Sequence, residues 1–304
     1  MDKYVNICIT TDMNFVAIIV VLMTSIMKNM SRDAKVRFFI FGHGFTQIET
    51  ALLARFRGQY PCEMVIVPME QYMHLFRNID TTKSNLWYLN IAAYFRLLML
   101  KILPDDVEKC FYVDGDMIVG TDLSELFHAM PSDKLAAVCP EVSVMQDWKN
   151  GLAEHIKWPE FAPFTRDRYS APYFNSGFFL LNVKMAREMN LFDAAFEFLD
   201  RHPNPPYVDQ DVLNAIIGQV HTDKLIYLGP EWNLFCDTPA DWRWDDAWHP
   251  WDKIRTAFAH PLIYHYAGPN KPWKNRRCRN HWDVWWHYCE MSPCRAMRRP
   301  PIDG

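Results

Sequence analysis

No apolar run in this 304-residue chain is long enough to cross a bilayer. The longest, residues 15–27, follows directly on Asp12 and Asn14 and lacks a small-residue cleavage site, so it reads as a buried helix after a first strand rather than an export signal. A disulfide framework is also missing. The eight cysteines are scattered without framework spacing, which points to reduced thiols and a cytosolic setting. Nor is there an excess of either charge: a net charge of −4 gives no global signature of nucleic-acid binding, and no such partner is expected. Internal repeats and low-complexity tracts are absent, and a hydrophobic content of 50% excludes a disordered chain.

What is present is an alternation. Residues 5–10, 36–41, 64–67, 109–113 and 176–182 are short apolar runs of the kind buried on both faces of a sheet. Between them, residues 15–30, 47–56 and 91–102 carry helical periodicity, the last stopped by Pro104. Strand alternating with helix implies an α/β, Rossmann-like, mostly parallel sheet flanked by helices, in one enlarged domain. Ligands bind such sheets beyond the carboxyl ends of the strands. Thr11-Asp12 and Asp114-Gly115-Asp116 both fall at such ends and should therefore lie close together. Residues 141–172 and 230–261 break the pattern and read as long irregular stretches, the second too rich in tryptophan to be a solvated linker.

Asp114-Gly115-Asp116 carries the strongest chemical signal. On extended backbone, carboxylates at i and i+2 project to the same side, and the intervening glycine lets a ligand approach the main chain. Two buried carboxylates without a cation repel and take up a proton, so the pair suits a hard divalent ion, which in turn often holds a phosphate. Three further polar clusters sit on apolar edges: Asn175-Ser176-Gly177 before a strand, Asp209-Gln210-Asp211 opening a helix, and His265-Tyr266-Ala267-Gly268 with Lys271-Pro272-Trp273 after another strand.

With Thr10-Thr11-Asp12, Asn14 and Tyr94-Arg96, this ordered set resembles the retaining glycosyltransferases of family 8. That family includes the galactosyl- and glucosyltransferases of bacterial lipopolysaccharide synthesis and glycogenin. The resemblance implies a GT-A type domain over residues 1–275, followed by a short helical tail at 276–304. It implies transfer of glucose or galactose from UDP-glucose or UDP-galactose to a saccharide acceptor, free or lipid-linked. Asp114, Asp116 and His265 would ligate Mn²⁺, with Mg²⁺ as the alternative ion. Thr10, Asp12 and Asn14 would lie on the nucleotide side and Lys271 at the phosphates, with Gly115 and Gly268 also among the substrate-binding residues. Arg96, Asn175, Ser176 and Asp209 would hold the donor sugar, with Gln210 near the anomeric carbon. Tyr88 and Glu141 stand where some relatives carry histidine and aspartate, so the identities of donor and acceptor stay open.

Retention needs either a carboxylate nucleophile or attack from the face of departure. Gln210 is an amide and a poor nucleophile, which favours front-face attack with the departing phosphate oxygen taking the acceptor's proton. Plainer readings stay open: Asp209 as a helix N-cap, Arg96 as partner of a surface acid, His265 as a core histidine. A non-catalytic nucleotide-sugar binder and a haloacid dehalogenase-type phosphohydrolase are the rival functions; the latter lacks the Thr or Val expected where Ile118 stands.

The tail places Arg276, Arg277, Arg279, Arg295, Arg298 and Arg299 around Trp282, Trp285, Trp286 and Cys289, which share one helical face. It reads either as a peripheral contact on the cytoplasmic face of an inner membrane or as a terminal helix packed on the domain. Cys278, His281, His287, Cys289 and Cys294 raise zinc as a minor alternative.

Overall fold

The computed structural model describes residues 3–80, 91–151, 153–162, 172–237, 251–275, 277 and 280–301. Its strands are β1 (Val5–Asp12), β2 (Val36–His43), β3 (Glu63–Pro68), β4 (Lys109–Val113), β5 (Met117–Val119), β6 (Ala136–Pro140), β7 (Phe174–Asn182), β8 (Leu225–Tyr227), β9 (Leu234–Phe235) and β10 (Ile263–His265). Seven of them form a sheet in the order β3-β2-β1-β4-β7-β6-β8, and β5-β10-β9 form a small second sheet. β7 runs antiparallel to both of its neighbours, and every other pairing in the large sheet is parallel. This is the mostly parallel α/β sheet that the alternating pattern predicts.

Side chains alternate across the large sheet, as extended backbone requires. Ile7, Ile9, Phe38, Ile40, Phe111 and Val113 enter one core, which the helix Val16–Asn29 covers. Cys8, Phe39, Phe41, Cys110 and Tyr112 enter the opposite core, under the segment Ile91–Leu98. That segment is a 3₁₀ helix followed by one α-turn at Met99–Ile102, where the sequence pattern predicts a continuous α-helix. In 3₁₀ geometry residues i and i+3 eclipse, and Arg96 Nε donates to the Ala93 carbonyl oxygen at 2.9 Å.

The two stretches that read as irregular contain structure. Val142–Lys149 and Trp251–Ala259 are helices, and Leu234–Phe235 is a strand. The first helix starts where the Glu141 carboxylate accepts from the Ser143 backbone N–H at 2.9 Å. Trp232 stacks on Phe178, with ring centres 6.1 Å apart, whereas Trp242, Trp244 and Trp248 lie outside the described residues.

The tail packs. Trp285, Trp286 and Cys289 of the helix Trp282–Met291 are at most 1% exposed and belong to the same core as the helix Val16–Asn29. The aromatic stripe therefore faces the domain. All seven described cysteines are free thiols. Among the described residues no helix is long and apolar enough to cross a membrane.

Candidate active site

β1 and β4 are adjacent and parallel, so their carboxyl ends bring Asp12 and Asp114-Gly115-Asp116 to one edge. The Asp-Gly-Asp segment lies just beyond the carboxyl end of β4, as expected, but in the turn to β5 rather than on extended backbone. It turns tightly, with Met117 N donating to the Asp114 carbonyl oxygen at 3.2 Å. The fold-back carries Asp116 to β10, where Tyr266 N donates to its carbonyl oxygen at 3.0 Å. The carboxylates thus converge through a turn that a third residue closes. Ligand atoms of Asp114, Asp116 and His265 all lie within 4.8 Å of one another.

This is the one such group of His, Cys, Asp and Glu among the described residues, so His281, His287, Cys289 and Cys294 form no second cluster there; Cys278 lies outside them. The surroundings fit a cation. A Cβ on Gly177 would stand 2.7 Å from Asp114 Oδ2 and 2.9 Å from His265 Cε1, so only glycine leaves that wall open. Two carboxylates and an imidazole make a mixed O/N donor set that suits Mn²⁺ better than Ca²⁺.

Positive charge already balances the aspartates. Lys271 Nζ lies 2.6 Å from Asp116 Oδ2, and His265 Nε2 lies 3.4 Å from Asp116 Oδ1. Burial pushes the Asp116 carboxyl up, but Lys271 and His265 outweigh it and hold the group well below the usual carboxylate range. Arg96 donates to Asp114 Oδ1 at 2.9 Å and to the Ser176 carbonyl oxygen at 2.6 Å. Its guanidinium lies 4.2 Å from the centre of the Tyr112 ring, and the Tyr112 hydroxyl donates to Asp114 Oδ1 at 2.7 Å. Thr10 Oγ1 and the same hydroxyl are 2.9 Å apart. Arg96 is thus a buried organiser of the site rather than the partner of a surface acid.

Asp209 is 1% exposed and sits 2.9 Å from Arg96 Nε, yet that N–H points at Ala93, and Asp209 Oδ2 has no hydrogen-bond partner among the described residues. Burial, with the charge of Asp114, pushes its carboxyl from 3.8 up to about 6 against the pull of Arg96. It does not cap its helix: the cap position of Val208–Leu213 is Tyr207, with no side-chain cap bond. Val208, just before it, has φ of 49°, a conformation β-branched residues avoid. The turn is held from behind by Asp211, which accepts from Tyr207 N at 2.8 Å and from the Tyr173 hydroxyl at 2.6 Å.

Gln210 Oε1 accepts from Asn175 Nδ2 at 2.9 Å and from Ser176 N at 3.0 Å. Asn175 and Ser176 lie inside β7, not ahead of a strand. Glu141 is buried with both oxygens engaged, Oε1 by Ser143 and Oε2 by Asn175 Nδ2 at 2.7 Å, so it supports Asn175 from behind rather than facing open space. Gly115 is glycine for packing, since a Cβ there would lie 2.8 Å from Ile19 Cγ2. Gly268 is glycine for its φ of 83°. Asp12 Oδ1 accepts from Asn14 N at 2.8 Å and caps the turn Met13–Phe15. Tyr88 lies outside the described residues. Tyr112 and Asn233 went unnoticed in the sequence; Asn233 accepts from His265 Nδ1 at 2.8 Å. Tyr112 reads as one more core residue of β4, and Asn233 sits in a stretch without periodicity.

The family model for glycosyl transferase family 8 matches residues 6–277. The chain belongs to that family. It is 22% identical to General stress protein A of Bacillus subtilis, with 99% of each chain covered. It is 25% identical to the lipopolysaccharide 1,2-glucosyltransferase of Escherichia coli K12, covering 90% of this chain and 73% of that protein. The crystal structure of the galactosyltransferase LgtC with donor and acceptor sugar analogs superposes with a TM-score of 0.69 at 21% identity, over 95% of this chain and 96% of that one. The fold is that of the GT-A glycosyltransferases, and the family 8 protein described here is a glycosyltransferase with an Asp-Asp-His site suited to a divalent metal.

Proposed function

We propose that this family 8 glycosyltransferase transfers glucose or galactose from its UDP-sugar, with retention of configuration, to a saccharide acceptor of a bacterial surface glycan such as lipopolysaccharide. The single observation that carries the reading is the convergence of Asp114, Asp116 and His265 within 4.8 Å at the carboxyl edge of the sheet. Those three residues would hold Mn²⁺, with Mg²⁺ as the alternative ion. When bound, the ion supplies electrostatic stabilisation to the charge that develops on the departing diphosphate.

The chain's own groups do the rest. Lys271, buried beside Asp116, gives a fixed positive charge at the phosphate end. Asp12, the last residue of β1, and Asn14, in the turn after it, face the uridine. On the sugar side, Arg96 and Asn175 frame the hexose, and Asp209 Oδ2, ion-paired with Arg96 but without a hydrogen bond, accepts from a sugar hydroxyl, since a buried polar atom without a hydrogen bond costs about 1–3 kcal/mol. Gln210 is pinned through Oε1 to Asn175 and Ser176, which keeps it beside the anomeric carbon as a dipole rather than a nucleophile. Front-face attack follows, the acceptor's proton leaving with the phosphate oxygen.

Incubation with UDP-glucose and with UDP-galactose, with and without Mn²⁺, tests the reading through UDP release. Release that needs the ion and prefers one hexose is expected. Metal-independent release would overturn the site assignment, and binding without turnover over a panel of saccharide acceptors would overturn the proposed acceptor class. A location at the cytoplasmic face of an inner membrane is a further part of the proposal, checked by fractionating cells that express the protein.

A further inference from the structure

Behind the metal-facing side chains runs a chain of buried amides whose hydrogen-bond polarity is set from one end. Glu141 Oε2, which as a carboxylate oxygen can only accept, lies 2.7 Å from Asn175 Nδ2. Gly177 N, which can only donate, lies 2.9 Å from Asn175 Oδ1. The Asn175 amide is therefore fixed in one orientation. Its Oδ1 also accepts from Asn233 Nδ2 at 2.8 Å, which fixes Asn233 in turn and leaves Asn233 Oδ1 facing His265 Nδ1 at 2.8 Å. An acceptor there obliges Nδ1 to carry the hydrogen, which leaves the lone pair on Nε2, the nitrogen beside Asp116 at 3.4 Å. Asn175, Asn233 and His265 are each at most 8% exposed, so no competing bulk water resets the order.

We infer that Asn233 is a positioning residue that locks His265 in the Nδ1–H tautomer for metal ligation and joins the metal end of the site to the sugar end through Asn175. This rests on the proposed metal role of His265. A ligating histidine whose other nitrogen is tied to a fixed acceptor is pre-oriented, and loss of such a partner typically lowers metal affinity about 10- to 100-fold. The same link makes Asn175, which also donates to Gln210 Oε1 at 2.9 Å, responsive to how His265 is held. Neither end of the chain reaches Asn233 in sequence, since 58 residues separate it from Asn175 and 32 from His265.

The test uses the full chain, Mn²⁺ alone as probe, and two variants. Binding is read by electron paramagnetic resonance of free Mn²⁺, and the tautomer by ¹⁵N NMR of histidine-labelled protein, the His265 signals being assigned by their loss in His265→Gln. In the parent with its imidazole neutral, His265 Nδ1 is expected protonated and Nε2 bare. Asn233→Ala is expected to bind Mn²⁺ about 10- to 100-fold more weakly and to give up the Nδ1–H signature. Asn233→Asp keeps the acceptor for His265 while losing the donor to Asn175, and is expected to hold Mn²⁺ at least as well as the parent, a rescue that general loss of packing would not produce. A parent that binds Mn²⁺ while Asn233→Ala matches it within twofold, or a neutral parent His265 with its hydrogen on Nε2 rather than Nδ1, overturns this role alone. A parent that binds no divalent ion overturns the metal reading and this inference with it.

Discussion

Asp116 meets the Lys271 ammonium, the His265 ring and the turn that presents it, which makes it the residue whose loss should separate chemistry from folding. Asp116→Ala is expected to abolish metal-dependent UDP release while leaving the far-UV circular dichroism spectrum unchanged. Lys271 then has no carboxylate beside it, but it keeps its bond to the Tyr266 carbonyl oxygen at 2.5 Å. An active Asp116→Ala enzyme would sink the ligand assignment. Asp209 makes a different, pH-dependent prediction. Its carboxyl is raised from 3.8 to about 6 by burial, so the folded chain holds a proton there that the unfolded chain has released, and stability falls as pH rises through that window. Replacement by Asn removes the titration. The stability of the parent relative to Asp209→Asn should therefore drop by up to about 3 kcal/mol between the acid and neutral ends, because a tenfold change in proton affinity corresponds to about 1.4 kcal/mol. Urea unfolding of the metal-free proteins across that range checks it; a difference that stays flat or grows with pH would refute it.

At the scale of the elements, two glycines that look alike in sequence answer to different forces. A Cβ on Gly115 meets Ile19 Cγ2 at 2.8 Å and Phe15 Cδ1 at 3.1 Å, an overpacked contact between the β4–β5 turn and the segment after β1. Gly115→Ala is expected to lower stability by roughly 1–3 kcal/mol while the donor Kd changes little. A Cβ on Gly177 meets Asp114 Oδ2 at 2.7 Å instead, so Gly177→Ala should weaken Mn²⁺ binding more than it lowers Tm. Finding the two effects interchanged would show that the walls of the site have been misassigned. The same contrast explains what could be read in advance. β1, β2, β4 and β7 were legible because strands buried on both faces are continuous apolar runs, and the carboxyl ends of such strands are where polar clusters stand out; the edge strand β3 is only partly buried but still carries the apolar run Met64–Val67. β5, β8, β9 and β10 span two or three residues each, too few to carry any periodicity. The helix Val142–Lys149 was hidden because its start depends on the Glu141 side chain, whose other oxygen answers to Asn175 across the fold. Asn233 and Tyr112 were invisible as site residues for a similar reason: only tertiary partners give an amide or a phenol a role.

At the scale of the whole molecule the question is what the basic, aromatic tail does. Its tryptophans are occupied: Trp273 and Trp285 ring centres are 5.1 Å apart, Trp286 Nε1 donates to the Pro272 carbonyl oxygen at 3.1 Å, and Asn29 Nδ2 donates to the Tyr288 hydroxyl at 2.8 Å. Trp285→Ala should therefore cost about 3–5 kcal/mol, the range for a fully buried large aromatic, and be seen as a fall in Tm. What the described tail offers a membrane surface is mainly charge, just after the helix. Arg295, Arg298 and Arg299 are exposed, and Arg299 is already paired with Glu290 at 2.6 Å. Near an anionic leaflet each basic side chain is worth about 1 kcal/mol, so Arg295 and Arg298, counted among the described residues, give only marginal attraction, and salt at about 0.15 M screens it within a Debye length of about 8 Å. Flotation with anionic vesicles should then show weak binding that the double variant Arg295→Glu, Arg298→Glu abolishes and that disappears at physiological salt. Binding that resists salt would require the tryptophans to leave the core for the lipid, at the cost already set by Trp285, and would overturn the packed arrangement of the tail.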